Sequence, residues 1–564
     1  MAAVEGSGPL SWTLSILRRP WKVIPNNTYA DIQRIAPIQL PGQSQESWTS
    51  DDDGAAQTPA ASVSVFDRVV AFAGTPLVFF LTVAGLIAWM IVGIVLGPSQ
   101  TWQIAIQNVS SIQCYASDTL LMRQQRNNFR DLLGLICELR SRNTACQRMV
   151  EQLRRTNPSF FDSQTPPEME IDQKNLNPVE LDVHQVDNGV HLPPSSIYDR
   201  ICDPIVWAFS SLYAWIIFWA GIFVWLGFGH EQQWGNNWQL YINSATAVEL
   251  TFVSVFLQNT RQRHMNYLNE CFKSITHEDM RLERRLREIT GDIDPNPTVA
   301  FEYDYRKETT RGQRMIDYYA AVVGTGVGLF LSAMVFAVWI GVGSLMQWNS
   351  NWWLIIGTYT GLVGFVDGFV LRNIYFRGSR AVDGQFGVLA EEDARLSTLL
   401  GMSTVPQDTV EIDSLQARIA DKVGEWCSRS GVVLSSFVIV LALIIIASGL
   451  RWSETGQLLC NTPTMIIEGF LLLVLIQTHN MTNTHRRLQF RDALRRRMAI
   501  NSQVCRLMPK GSVNIGSEKE SADLSIELET SSPDRWIDSL DFSKISNTRS
   551  DLSIAIAKNA NRAG

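Results

Sequence analysis

The stretch Trp225–Trp238, WLGFGHEQQWGNNW, joins two long apolar segments, and its pattern occurs three times in the chain. In each copy a tryptophan is followed four residues later by glycine and nine residues after that by a second tryptophan. The other two copies are Trp89, Gly93, Trp102 and Trp339, Gly343, Trp352. A weaker fourth copy places Ile444, Ser448 and Gln457 in the same positions. Such an internal repeat predicts one helical hairpin written four times.

The apolar segments beside these motifs are long enough to cross a lipid bilayer. Segments 69–96, 201–229 and 318–345 each exceed the roughly 20 residues that a membrane-spanning helix needs. The chain has 564 residues, and 18 of them are tryptophans, many at the ends of apolar segments, as in interfacial belts. The sequence therefore predicts an all-α integral membrane protein.

The charge pattern orients the predicted hairpins. First helices are expected near 66–96, 201–229, 315–345 and 431–450, and second helices near 101–122, 238–258, 352–373 and 459–478. Lys and Arg concentrate after the second helices, for example in HRRLQFRDALRRR. The positive-inside rule places these ends in the cytosol. About eight transmembrane helices then form four parallel hairpin repeats, and both termini are cytosolic.

Amphipathic segments follow the second helices. In FRDLLGLICELRSRN, Leu132, Ile136 and Leu139 share one face at helical spacing. We expect the second helices to continue into the cytosol and pack together there.

These patterns divide the chain as follows. The predicted parts are a disordered cytosolic arm over 1–62, repeat 1 with its cytosolic helix over 63–158, a linker over 159–196, repeat 2 over 197–292, repeat 3 over 293–424, repeat 4 over 425–510 and an acidic Ser-rich tail over 511–564.

Each second helix carries one acid within its apolar run: Asp118, Glu249, Asp367 and Glu468. A charged side chain at the bilayer centre costs about 2.5–3.5 kcal/mol on insertion scales. Counted from the second motif position, Glu468 matches Glu249, and the aspartates lie at nearly matching positions. Arg372 is the nearest basic residue, and we expect it to reach the cytoplasmic surface. The four acids predict a pathway that attracts cations, although an acid that only bonds a neighbouring helix stays an alternative.

Sulfur and amide groups accompany these acids. Cys114 precedes Asp118 by four residues, and Met465 precedes Glu468 by three, so each pair shares a helix face. Carboxylate with sulfur suits borderline divalent transition metals better than Mg²⁺ or Ca²⁺. Alternatively, Cys114 and Met465 only fill the core. The candidate metal ligands are Glu249, Glu468, Asp118, Asp367, Cys114, Asn243, Gln113 and Met465.

Other functions lack sequence support. The chain shows no P-loop, no phosphorylated-aspartate motif and no nucleophile–histidine arrangement, so we expect neither an enzyme nor a resident cofactor. No basic patch indicates nucleic acid. Eight cysteines without a CxxC pair favour a reduced state. The predicted partners are divalent metal ions and the lipid bilayer, with a homo-oligomer left open. A non-selective cation channel and a membrane scaffold acting through its cytosolic helices are the alternatives.

The second helices resemble a known family. The segments TWQIAIQN, NWQLYINSATAVELTFVSVFLQNTRQRH and NTPTMIIEGFLLLVLIQTHN are similar to those of the fungal low-affinity iron permeases. The resemblance covers about 66–490 and departs most in repeat 3, where Gly357, Val363 and Arg372 replace Asn, Glu and Gln. It implies low-affinity uptake of Fe²⁺ at the plasma membrane, and activity towards Zn²⁺, Cu and Mn²⁺.

Overall fold

The computed structural model describes residues 32–39, 65–97, 99–156, 197–301, 310–324, 326–402 and 415–507. Within them lie twelve α-helices and one antiparallel pair of short strands. The strands are β1 (Gln33–Arg34) and β2 (Val299–Ala300). The helices are α1 (Val65–Ala73), α2 (Pro76–Leu96), α3 (Gln100–Thr156), α4 (Ile197–Phe209), α5 (Leu212–Gly227), α6 (Asn236–Thr290), α7 (Arg311–Val323), α8 (Gly326–Gly343), α9 (Ser350–Leu399), α10 (Leu415–Ser428), α11 (Ser430–Gly449) and α12 (Glu454–Leu507). The predicted linker and acidic tail lie outside the described residues.

Three helices in turn form a unit: α1–α3 are unit 1, α4–α6 unit 2, α7–α9 unit 3 and α10–α12 unit 4. The last helix of each unit is very long, with 57, 55, 50 and 54 residues. At 1.5 Å per residue each spans about 75–85 Å, more than twice the bilayer core. The predicted apolar face formed by Leu132, Ile136 and Leu139 is buried. The second helices therefore continue far beyond their expected spans, and these extensions pack together.

The apolar helices α2, α5, α8 and α11 lie on the outside of the long ones. In the described part of the chain, five helices are long and apolar enough to cross a membrane, or six if the bent pair α4–α5 is one span. The outward side chains of Ile94 and Ile217 are 83% and 71% exposed, as expected for a surface that faces lipid. The chain is thus a helical multi-pass membrane protein, with fewer qualifying spans than the eight expected.

Helix α3 does not meet the composition of a membrane span. Its first half carries the amides of Gln103, Gln107 and Asn108, which are buried inside the protein. The mean hydropathy of a helix counts all of its faces. Because the polar groups of α3 face the protein interior, they lower this mean although they do not face lipid.

The predicted first helices of units 1 to 3 are each broken in two, whereas in unit 4 the predicted 431–450 corresponds to α11 alone, with α10 before it. Helices α4 and α5 are bent by 52° at Ser210–Ser211, where the Ser211 hydroxyl accepts from the Ala214 N–H at 3.3 Å. Gly74 and Gly324 lie at the breaks of units 1 and 3, and Arg429 at that of unit 4. Serine caps and glycine favour helix ends over helix interiors. A short amphipathic helix therefore precedes each apolar one.

Each break is held by the long helix of another unit. The bonded pairs are Asn259 Nδ2 with Gly74 O at 3.0 Å, Asn373 Nδ2 with Ser428 O at 2.6 Å and Asn480 Nδ2 with Ser210 Oγ at 3.0 Å. In unit 3, a Cβ on Gly324 would lie 3.3 Å from Met122 Cβ of α3. The long helix of unit 2 thus contacts the break in unit 1, and that of unit 1 contacts the break in unit 3. The long helix of unit 3 contacts the break in unit 4, and that of unit 4 contacts the break in unit 2. The long helices form a closed ring in the order α3, α9, α12, α6.

The ring is tied at both ends. At the outer end, one apolar residue from each long helix joins a single cluster: Ile104, Leu240, Leu354 and Leu458. Near the other end, the guanidinium of Arg497 on α12 contacts one residue of each remaining long helix. These contacts are Asn143 Oδ1 at 3.2 Å, Asp279 Oδ1 at 3.1 Å and Asp393 Oδ1 at 2.9 Å. The four long helices therefore surround one axis over most of their length.

The repeated tryptophans close the turns between the helices. Trp225 and Trp238 stack with ring centroids 3.9 Å apart, and the indole N–H of each donates to the carbonyl of the other at 3.0 Å. The corresponding pairs in units 1 and 3 stack at 3.9 and 4.3 Å. A Cβ on Gly229 would collide with the ring of Trp234. The motif is thus a stacked tryptophan pair that closes the turn and requires a glycine beside it.

Unit 4 has the same turn without the stacked tryptophan pair. Positive φ angles occur at Gln233–Trp234, Gln347–Trp348 and Arg451–Trp452. The Trp452 N–H donates to Ala447 O at 2.9 Å, as the Trp234 N–H donates to Gly229 O at 2.9 Å. Ala447 therefore occupies the motif glycine position.

The fourth copy of the motif is consequently Leu443, Ala447 and Gly456, one residue earlier than the predicted Ile444, Ser448 and Gln457. The sequence count was wrong because no tryptophan marks this unit. Glu468 lies twelve residues after Gly456, whereas Glu249 lies eleven after Trp238, so the two glutamates do not match. The residue of unit 3 that matches Glu468 is Gly364, twelve after Trp352.

Part of the predicted disordered arm is ordered. Residues 32–39 lie against the halves of the long helices that are farther from the tryptophan motifs, where β1 pairs with β2. The Ala36 N–H donates to Ser141 Oγ at 3.1 Å, and Asn296 Nδ2 donates to the Ala36 carbonyl at 3.1 Å. Ile32 and Ala36 are buried, which the low complexity of the surrounding sequence concealed.

Candidate cation pathway

The carboxylate of Glu468 lies inside the ring of long helices, against α9. A Cβ built on Gly364 would be 2.6 Å from both Glu468 carboxylate oxygens, so the missing side chain provides the space. Glu468 is 4% exposed. Its side chain makes no hydrogen bond or ion pair with any described residue. A buried carboxylate without such a partner is a functional-site candidate.

Two aspartates lie close to Glu468. Asp118 on α3 interacts electrostatically with both Glu468 and Asp367, and it is 2% exposed. The Tyr319 hydroxyl donates to Asp367 Oδ1 at 2.7 Å. Asp118 Oδ2 and Asp367 Oδ2 are buried and have no hydrogen-bond partner. Three carboxylates from three helices repel one another, and a cation between them would relieve that repulsion.

We define the acidic cluster as Asp118, Asp367 and Glu468. The thiol of Cys114 lies beside this cluster. Cys114 is buried and interacts electrostatically with Glu468 and Asp118. Its Sγ lies 3.6 Å from Gln113 Oε1 and 3.9 Å from Ser110 Oγ. The structure therefore brings a sulfur donor beside the carboxylates, as the spacing in the sequence predicted.

Amide side chains converge on the outer side of the acidic cluster. A Cβ on Gly357 would lie 3.6 Å from Asn108 Oδ1 and 3.8 Å from Asn461 Nδ2, so these groups meet where α9 has no side chain. Asn108 Nδ2 and Asn461 Oδ1 are buried without a hydrogen-bond partner, as are both amide atoms of Asn243. Asn243 and Asn461 each lie five residues after their motif position. Unpaired buried amides of this kind are suited to replacing the water around a passing ion.

Three predicted ligands lie elsewhere. The half-buried carboxylate of Glu249 faces α12, where a Cβ on Gly469 would be 3.1 Å from Glu249 Oε2. Gln113 donates from Nε2 to Ser117 Oγ and Ser254 Oγ at 3.1 and 3.0 Å, which bonds α3 to α6. Met465 is buried in the large apolar core. The predicted match in position between Glu249 and Glu468 is therefore wrong, because the true register separates them by one position.

Arg372 was expected at the cytoplasmic surface, but its side chain is fully buried, with 0% exposed. Its guanidinium donates to the Gly368 carbonyl and interacts electrostatically with Asp118 and Glu468. Nε and one terminal nitrogen have no hydrogen-bond partner. Sequence reasoning missed this contact, because Asp118 and Glu468 lie on other helices, and the neighbours of α9 do not follow from its own sequence pattern.

Within the described ranges, no three His, Cys, Asp or Glu side chains are arranged to hold a metal ion. The acidic cluster is therefore defined by its charge and its unpaired oxygens, and not by a coordination geometry. All eight cysteines are free thiols, in agreement with the expected reduced state.

Comparisons with known proteins place the chain in a family of transporters. A sequence profile of the family described as low affinity iron permease matches residues 312–412 and 416–533. The chain is 44% identical over 440 residues to the low-affinity iron/zinc ion transport protein fet4 of Schizosaccharomyces pombe, covering 77% of this chain and 72% of that protein. It is 38% identical over 475 residues to a low-affinity Fe(2+) transport protein of Saccharomyces cerevisiae, covering 79% and 83%. No solved structure matches. The chain belongs to the low-affinity iron permease family.

Proposed function

We propose that this protein carries Fe²⁺, Zn²⁺ and related divalent transition-metal ions into the cell at low affinity, along the axis between its four long helices. The observation that carries the proposal is the Glu468 carboxylate, which occupies the space left by Gly364 beside two further buried acids. The names of the two relatives, one for iron and zinc and one for Fe(2+), support this substrate class.

The chemistry of the cluster favours borderline metals. Oxygen donors from Asp118, Asp367 and Glu468 combine with the Cys114 thiol, a softer donor than Mg²⁺ or Ca²⁺ prefers. We include Cu and Mn²⁺ as substrates because the resemblance to the low-affinity iron permeases implies them. The guanidinium of Arg372 balances part of the negative charge while the cluster is empty, and an arriving cation takes over that role.

We further propose that the four units cross the plasma membrane as eight helices in four parallel repeats, with both termini in the cytosol. The shared turn and the closed ring support this topology. So does the axial contact of Arg497, because Asn143, Asp279, Asp393 and Arg497 all lie 41 residues after their motif positions. No ATP is required, because a membrane potential supplies about 4.6 kcal/mol per 100 mV for a divalent ion, twice the value for a single charge.

The test is uptake of radiolabelled Fe²⁺ into liposomes that contain the purified protein, under an imposed potential and with Zn²⁺, Mn²⁺ or Ca²⁺ as competitors. The matched variants are Glu468→Gln and Glu454→Gln, since Glu454 lies on the same helix but on the surface, bonded to Gln100. We expect Glu468→Gln to abolish uptake and Glu454→Gln to leave it unchanged. Normal uptake by Glu468→Gln would refute the proposed pathway.

The same preparation separates the alternatives. Na⁺ or K⁺ current through the unaltered protein would favour a non-selective cation channel. If function in cells is lost when residues 509–564 are removed but survives Glu468→Gln, the protein acts as a scaffold.

A further inference from the structure

Two histidines from neighbouring long helices meet on the cytosolic side of Arg372. The rings of His264 on α6 and His479 on α12 lie with their centroids 5.4 Å apart and their planes at 75°. Their residues are 8% and 9% exposed. Neither histidine belongs to the acidic cluster, and the proposed pathway as described so far does not use them.

The ring nitrogens of this pair lack the partners that buried polar atoms normally have. His264 Nδ1, His479 Nδ1 and His479 Nε2 are all buried without a hydrogen bond. Nearly all buried side-chain nitrogens in proteins have a hydrogen-bond partner, so three nitrogens without a protein partner at one place mark a candidate ligand site. An imidazole nitrogen with a free lone pair is the commonest protein ligand for transition metals.

The spacing of the rings suits a shared metal ion. Zinc–nitrogen bonds are about 2.0–2.1 Å long, so two rings on one tetrahedral ion have centroids roughly 5 Å apart. We propose that His264 and His479 form a second metal-binding site, which holds an ion after it leaves the acidic cluster and before it enters the cytosol. This site rests on the proposed transport function.

The way out from this site is lateral. Straight ahead, the axis is closed by Arg497 and its contacts with the other three long helices. To the side, the ring of Tyr375 lies 6.0 Å from that of His479 and also lines a cavity of about 670 Å³. The cavity wall carries charged groups of both signs, with three acids, two arginines and a histidine: Asp383, Asp421, Glu425, Arg380, Arg418 and His485. An ion released from the pair therefore meets a polar opening between α9, α10 and α12.

Nearby positive charges suit release from this site better than storage. Arg261 and Arg263 interact electrostatically with His479, and Arg487, Arg486 and Arg263 with His264. The same charges weaken the attraction for a divalent cation, partly offset because Arg263 pairs with Asp203 at 3.6 Å.

The direct test is X-ray absorption spectroscopy of Zn²⁺ bound to the full-length protein, purified without a polyhistidine tag and placed in lipid nanodiscs. Imidazole ligands give a characteristic multiple-scattering signal. We expect that signal in the unaltered protein and its loss in the double variant His264→Gln, His479→Gln. The matched control is His277→Gln, on the same helix as His264 but one-third exposed and outside the cavity, which should keep the signal. An unaltered signal in the double variant would overturn the site.

A second pair of variants separates this site from the acidic cluster and from a folding defect. Glu468→Gln should abolish uptake yet keep the imidazole signal, so a failure of one proposal does not mimic failure of the other. In the double variant His264→Cys, His479→Cys, thiolates replace the imidazoles as ligands. We expect it to bind Cd²⁺ with two sulfur ligands and to transport Zn²⁺ about tenfold faster than the double glutamine variant. Equal transport by both double variants would contradict a ligand role.

Discussion

Replacing Gly364 with alanine tests the central geometric feature of the pathway. The new Cβ would lie 2.6 Å from both Glu468 oxygens, closer than van der Waals contact allows. The carboxylate must therefore move by close to an ångström, which shifts it relative to Asp118 and Asp367. Displacing a metal ligand by changing the residue behind it commonly costs 10–100-fold in metal affinity. We expect the half-saturating Fe²⁺ concentration of Gly364→Ala to rise about tenfold, equivalent to about 1.4 kcal/mol.

The expected defect is one of transport and not of folding, because alanine favours a helix over glycine by about 1 kcal/mol. Gly384→Ala on the same helix is the matched control, since its Cβ meets nothing within 4 Å. Uptake is measured against Fe²⁺ concentration, normalised to protein in the membrane, with thermal unfolding recorded in parallel. Adding Glu468→Asp to Gly364→Ala shortens the acid and should recover part of the affinity. Unchanged half-saturation in Gly364→Ala, with both variants equally stable, would refute the reasoning.

Three further changes test other parts of the structure. Arg372→Gln removes a positive charge beside the acids, so we expect about tenfold tighter Fe²⁺ binding and slower maximal uptake in the same transport assay; weaker binding would contradict this. Arg497→Met removes the ion-pair partner of buried Asp279 and one of the two partners of Asp393, and should destabilise the detergent-solubilised protein by about 3–5 kcal/mol, seen as a lower unfolding temperature. Gly343→Ala places a Cβ 2.5 Å from the Trp348 ring, whereas Gly341→Ala meets nothing within 4 Å. Only the former should lower the unfolding temperature, by an overpacking cost of about 1–3 kcal/mol.

The sequence carries much of the architecture, because hydropathy and charge act over long segments. The apolar stretches, the turns beside the tryptophan motif and the continuation of the long helices beyond these stretches all follow from local patterns. The helix breaks were missed because Gly74 and the serines at 210–211 interrupt segments that remain apolar throughout. The contact of residues 32–39 with the bundle was missed since its partners Ser141 and Asn296 are more than 100 residues away.

The site was predicted less completely than the fold. Asp118, Asp367, Glu468 and Cys114 meet as their helix positions suggested. The false match between Glu249 and Glu468 arose from a one-residue error in the register of unit 4. Such an error turns a helical side chain by about 100° and moves it to another interface. Burial of a charged group depends on which helices are neighbours, and that order follows from contacts between units that no local pattern records.

The two ties on the ring determine which parts of the protein are free to move during a transport cycle. The apolar cluster that contains Leu458 fastens the long helices at one end, and the ion pairs of Arg497 fasten them at the other. A helix bundle that is fixed at both ends is rigid, because its helices cannot separate. The outer helices are the parts that can pivot. Each follows a helix break, where a hydrogen bond from an asparagine side chain or a close packing contact attaches it to a long helix. Access to the axis would then alternate by tilting of the lipid-facing helices at these joints, while the ion-binding column stays still.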